Sequence, residues 1–119
     1  LSADIPTDNK SQNFANRLLD LEIRNFRPTD AGSGASLSYT SMSFSGDGTW
    51  RADGLVSIGE DSIDCVEGGD WTMEPAQTRT SASMVWNLGQ TDCAGRQAGG
   101  EIRVQLTILE NGRYQVRFR

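Results

Sequence analysis

The stretch Ile102-Arg103-Val104-Gln105-Leu106-Thr107-Ile108-Leu109-Glu110-Asn111-Gly112-Arg113-Tyr114-Gln115-Val116-Arg117-Phe118 carries the clearest structural signal in the chain. Apolar residues recur at every second position on both sides of Asn111-Gly112, with polar residues between them. That period marks strands with one buried face, so the stretch reads as a hairpin. Parity then selects the turn. The inward set is even-numbered on both arms, so opposed residues must sum to an even number. A two-residue Asn-Gly loop would pair 110 with 113 and turn one arm inside out. A three-residue loop, 110–112, with Gly112 left-handed, keeps the arms in phase. It predicts Ile108 opposite Tyr114 and Leu106 opposite Val116. The same count at Gly46-Asp47-Gly48 predicts Phe44 opposite Trp50.

Working outward, the alternation recurs along most of the chain. Leu19, Leu21 and Ile23 alternate with Asp20, Glu22 and Arg24 in a first strand. The loop Pro28 to Gly34 leads to a second strand, Ser36 to Ser45, with Met42 and Phe44 on one face. Trp50 sits in a third, where Asp53-Gly54 marks a bulge or a second tight turn. The turn Gly59-Glu60-Asp61 opens a fourth strand with Ile63 and Cys65. Gly68-Gly69-Asp70 reads as a further turn into a fifth strand with Trp71 and Met73, which Pro75 ends. Ala82, Met84, Trp86 and Leu88 make a sixth, and the long loop Gly89 to Gly100 precedes the final hairpin. Residues 1–18 read as a polar tail or a short helix capped by Ser11, with Phe14 and Leu18 on one face.

The expected architecture is therefore all-β: an eight-stranded antiparallel meander over residues 19–119, following the 1–18 segment. A closed small barrel is favoured over a two-sheet sandwich. Arg103 falls opposite Arg119 on the outer face, an unfavourable pair, with Arg117 beside them. The first strand alone carries an outward acidic pair, Asp20 and Glu22. Pairing strand eight with strand one would bring these charges together and remove the sheet edges.

Composition narrows the function. The 119 residues carry a net charge of −5 and contain no histidine. An acidic balance argues against a nucleic-acid partner or polybasic membrane attachment. Without histidine, His-based acyl-transfer triads and most zinc hydrolase sites are excluded. Neither a Gly-x-Ser-x-Gly elbow, a phosphate-cradling loop nor a dinucleotide fingerprint occurs. The acidic residues Glu60, Asp61, Asp64, Glu67 and Asp70 fall around expected turns, and their spacing matches no calcium loop. An enzyme is not expected, nor is any metal or cofactor. No run of about 18 apolar residues exists, so no membrane-spanning helix is expected. Cys65 and Cys93, the whole thiol inventory, are expected to form a disulfide, which points to an oxidising, secreted or periplasmic location. The start at Leu1-Ser2-Ala3-Asp4, without methionine, fits a removed leader or a trimmed chain.

Two sets of residues remain as candidate sites. Thr91, Asp92, Arg96 and Gln97 lie in the 89–100 loop, which Cys93 would fix against the strand bearing Cys65. Loops held on a rigid scaffold often carry recognition, so this loop is the candidate surface for a protein partner. Trp50, Trp86 and Tyr114 share the inward face and could line a cavity for a small apolar ligand, although core packing is the simpler reading. Gly48-Thr49-Trp50 resembles the Gly-x-Trp of lipocalin-type (calycin) barrels, and the meander length is similar to theirs. The scale is also similar to small periplasmic barrels that inhibit lysozymes or proteases. These resemblances imply a secreted barrel that either blocks a protein or carries an apolar ligand. A non-catalytic extracytoplasmic binding module is the leading expectation, and a small-ligand carrier the alternative.

Overall fold

The computed structural model describes residues 5–28 and 35–119; apart from Pro28, the loop expected at Pro28 to Gly34 falls outside them. The chain begins with a helix, α1 (Asn9–Leu19). Its N-cap is Asp8 rather than Ser11: the Asp8 carboxylate accepts from the Ser11 amide at 3.2 Å and from the Ser11 hydroxyl at 2.7 Å. Ser11 instead turns inward and accepts a bond from the Ala76 amide at 2.9 Å. Phe14, Ala15 and Leu18 bury on the same face, and the helix packs on the sheet at the end where residues 45–48 and 74–80 turn.

Among the described residues seven strands follow: β1 (Glu22–Ile23), β2 (Ala35–Phe44), β3 (Thr49–Ile58), β4 (Asp61–Met73), β5 (Ser81–Thr91), β6 (Glu101–Ile108) and β7 (Tyr114–Phe118). Each pairs antiparallel with the next in chain order, which is the expected meander. The hairpin registers agree with the parity count. Ile108 opposes Tyr114, Leu106 opposes Val116, and Phe44 opposes Trp50. Gly112 is left-handed at φ 74°, with Asn111 also positive at φ 63°.

Among the described residues the strand count is seven, not eight. Gly68-Gly69-Asp70 is no turn, because β4 runs straight through it from Asp61 to Met73. The irregularity belongs to β5: Gly68 opposes Gln90 while Gly69 opposes Leu88, leaving Gly89 as an extra residue. Glycines are needed there, since a Cβ on Gly69 would land on the Asn87 carbonyl oxygen. A second bulge sits in β2, where Tyr39 opposes Gly54 and Ser41 opposes Asp53, leaving Thr40 unpaired.

These strands curl into a nearly closed barrel, and among the described residues the expected ladder between the first and last strands is absent. Leu19 belongs to the helix, and β1 is only two residues long. Asn25 then takes a left-handed φ of 56°, which breaks the strand before it can extend. Side chains span the remaining gap: the Tyr114 hydroxyl donates to the Arg24 carbonyl at 2.7 Å, and the Phe26 and Phe118 rings stack with centroids 5.9 Å apart. Two of the three arginines find other acids. Arg119 reaches Glu74 at 3.6 Å and Arg103 reaches Glu101 at 2.8 Å, while Glu22 bonds Arg24 and Ser41.

Candidate functional site

The inward face of β4 carries Cys65, Glu67, Trp71 and Met73, every second residue. Glu67 is therefore a carboxylate aimed into the barrel, and it is fully buried. Burying such a charge without partners would cost several kcal/mol, on the order of the penalty for an isolated buried ion. Four donors meet it. Arg96 is bidentate, with Nε 3.0 Å from Oε2 and Nη2 3.2 Å from Oε1. The Thr91 hydroxyl donates to Oε2 at 2.6 Å, and the Tyr39 hydroxyl donates to Oε1.

The two bulges make this convergence possible. Inward residues of β2 are even-numbered at Met42 and Phe44, but Thr40 shifts the phase so that Tyr39 also points in. Gly89 does the same on β5, turning Thr91 inward directly opposite Glu67. Between Tyr39 and Glu67, β3 presents only Gly54 and Ala52. Gly54 also leaves room for the disulfide, since a Cβ there would stand 3.0 Å from the Cys65 sulfur.

Electrostatics follow the contacts. Burial works to raise the Glu67 carboxyl, but bonds from Arg96, Thr91 and Tyr39, together with the Arg96 charge, outweigh it and hold the group below its ordinary 4.5. Burial, then the bond to the Glu67 carboxylate, pushes the Tyr39 hydroxyl well above its usual range. For Arg96 burial acts downward, yet the bond and charge of Glu67 prevail and raise it. All three groups are thus fixed in one protonation state near neutrality. The arrangement suits a structural lock better than acid–base chemistry, which needs a group titrating near the working pH.

What it locks is the 92–100 segment. Cys93 is bonded to Cys65, as expected from the sequence, with Cα atoms 5.0 Å apart. The Asp92 carboxylate accepts from the Val66 amide at 2.7 Å, and the Asp92 amide donates to the Val66 carbonyl at 3.2 Å. At the other end, the Gly99 amide donates to the Leu88 carbonyl at 2.7 Å, and the Leu88 amide donates to the Gly100 carbonyl at 2.8 Å. Among the described residues, Cys65, Cys93 and Asp92 also form the sole close grouping of metal-ligating types. Both sulfurs are committed to the disulfide, so the grouping offers no thiolate.

Of the loop residues singled out from the sequence, Thr91 and Arg96 point inward to Glu67 and Asp92 pairs with β4. Gln97 is exposed, together with Ala94, Gly95 and Ala98. The aromatic trio is not brought together. Trp50 packs against Tyr39, and Trp86 against Phe26 and Phe44, while Tyr114 is half-buried at the gap. Trp50 and Trp71 donate their indole N–H groups to the Asn87 and Ser45 carbonyls, both at 3.1 Å. Trp86 Nε1 is buried without a partner. A groove of about 550 Å³ runs over the bulge, walled by Arg51, Asp70, Asn87 and Gln90. Trp50 touches its rim, whereas Trp86 and Tyr114 do not.

No protein-family model, curated protein or solved structure matches this chain. Sequence reading missed Glu67, which looked like one more acid near a turn. Its parity, shared with Cys65, Trp71 and Met73, was the available signal.

Proposed function

We propose that the chain is a non-catalytic extracytoplasmic binding module that recognises a protein partner through its 92–100 loop. The observation that carries this reading is the density of restraint on a segment of exposed, small side chains. A disulfide, a buried bidentate ion pair and backbone bonds at both ends hold the loop, yet Ala94, Gly95, Gln97 and Ala98 stay uncovered. Pre-ordering a loop lowers the conformational cost of binding, a device suited to inhibitor-like recognition. The disulfide supports an extracytoplasmic setting, and among the described residues no helix is long and apolar enough to cross a membrane.

The test uses Ala94→Arg/Gln97→Glu, which alters the exposed loop face and leaves Arg96 and Cys93 in place. Wild type and variant are immobilised and challenged with the exported protein fraction of the natural source. The expected outcome is one stoichiometric partner retained by wild type and lost by the variant. Identical retention by both would remove the loop from the recognition surface.

A second reading, a carrier of a small apolar ligand, draws on the unpartnered Trp86 Nε1 in the interior. A guest with one acceptor would satisfy it, provided that Phe26 and Phe44 repack. A mass of a few hundred daltons on the gently purified protein, lost on denaturation, is its signature.

A further inference from the structure

Among the described residues, the gap between β7 and the segment 24–28 leaves the barrel unfinished. Its geometry follows from the ladder. In β6–β7, Arg119 donates to the Arg103 carbonyl and Leu109 to the Arg113 carbonyl, so the odd-numbered residues of β7 exchange bonds with β6. The N–H and C=O groups of Tyr114, Val116 and Phe118 must then face the gap, where the described residues offer them no backbone partner. Direction matters as well. With seven strands, each antiparallel to the next, β1 and β7 run the same way. One added strand, antiparallel to both, would complete an eight-stranded antiparallel barrel.

Burial shows what such a strand would cover. Inward residues of β6 are sealed, with Val104 and Leu106 both at 0% exposure, whereas Phe118 on β7 is 58% exposed. Tyr114 and Val116 are only half-buried. Charge indicates its composition. Arg113, Arg117 and Arg119 line the β7 side, and Arg24 and Arg27 flank the other, all of them exposed. No acidic residue lies within 113–119 or 24–28, although the chain as a whole carries −5. Among the described residues, Arg27, Arg113 and Arg117 make no ion pair. A second copy of this chain pairing through β7 would set these arginines against each other.

We propose that this gap accepts an extended acidic peptide segment from another protein by strand addition to β7. The incoming strand alternates apolar and acidic side chains. The apolar set covers Val116 and Phe118, and the acidic set meets Arg113, Arg117 and Arg27. Main-chain bonds to Tyr114, Val116 and Phe118 supply affinity, and the arginines supply selectivity. The Tyr114 bond to the Arg24 carbonyl and the Phe26–Phe118 stack both yield as the strand enters. Different residues carry this surface and the 92–100 loop, so the loop variant above leaves it intact.

The probe is a blocked peptide of about eight residues alternating glutamate and valine, with a lysine-for-glutamate counterpart as control. Titration should show saturable binding of the glutamate peptide, roughly tenfold or more tighter than the lysine peptide. Amide exchange at Tyr114, Val116 and Phe118 should slow on binding, with the β5–β6 ladder unchanged. Val116→Pro removes an edge donor that the β6 ladder does not use, and it should weaken binding about tenfold or more. Arg113→Glu/Arg117→Glu needs no backbone change and should invert the preference toward the lysine peptide. Absence of saturable binding, equal affinity for both peptides, or unaltered binding by Val116→Pro would each overturn the proposal. Dimerisation through β7 in the absence of peptide would overturn it too.

Discussion

Two parts of the barrel handle their polar groups in opposite ways. Around Glu67, a charge is fully buried and every contact it needs is supplied: two bonds from Arg96, one each from Tyr39 and Thr91, and a disulfide alongside. Along β7, backbone groups of Tyr114, Val116 and Phe118 face a gap that, among the described residues, only side chains cross. Unpaired strand edges invite pairing, and proteins usually cover or charge them. Here the edge carries Arg113, Arg117 and Arg119. The contrast teaches where this fold holds its shape and where it can accept another chain. Stability should concentrate at the Glu67 end, and adaptability at the β7 gap.

The largest effect should come from Arg96→Met. It leaves the Glu67 carboxylate buried with two hydroxyl partners and no counter-charge, and loss of one partner of a buried pair costs about 3–5 kcal/mol. Urea unfolding followed by tryptophan fluorescence reads this directly. A loss below about 1 kcal/mol, typical of a surface pair, would erase the contrast. Next in size is Cys65→Ala/Cys93→Ala. The bridge joins residues 28 apart in sequence, and closing a loop of that length stabilises by about 3–4 kcal/mol in the chain-entropy picture. Because the bridge and Arg96 fix the same segment, the two losses should not add.

Much of this fold was legible in the chain, for reasons specific to certain residues. Ile108 opposite Tyr114 and Phe44 opposite Trp50 followed from parity, because a slipped register would expose a whole apolar face. Cys65 and Cys93, having no other thiol to pair with, gave the disulfide. The eighth strand failed at Gly68-Gly69-Asp70, whose composition is that of a turn. Close approach of the β5 backbone, invisible in one strand's sequence, requires those glycines. The barrel stops short of full closure because Leu19 has the strand alternation yet belongs to a capped helix. The Glu67 lock was hidden for a related reason. Tyr39 and Thr91 point inward only because Thr40 and Gly89 shift the phase, and Arg96 lies 29 residues from its partner.

A third test uses pH. The folded-state value of Glu67 is depressed, so its contribution to stability is complete above the ordinary 4.5 and is lost as pH falls through the folded value. Urea midpoints measured from about pH 6 to pH 3 should decline more steeply in wild type than in Glu67→Gln. Equal slopes would mean that Glu67 titrates alike folded and unfolded, and the end built around it would lose its distinction.

The smallest expected effect, at the gap, is also the most discriminating. Tyr114→Phe keeps the ring and deletes only the bond to the Arg24 carbonyl. A neutral hydrogen bond contributes about 0.5–1.5 kcal/mol net, and this one is exposed, so the lower end applies. Global stability should barely move, while edge amides of β7 exchange faster than those of β6. A loss above about 3 kcal/mol would show that the Tyr114 contact belongs to the cooperative fold, making the gap a true closure. The same variant bears on strand addition from the other side. An entering strand must displace the Tyr114 hydroxyl, so its removal should leave affinity for the acidic peptide unchanged or raised. A variant that is scarcely destabilised yet binds the peptide more tightly would show that this bond is part of the barrier to entry.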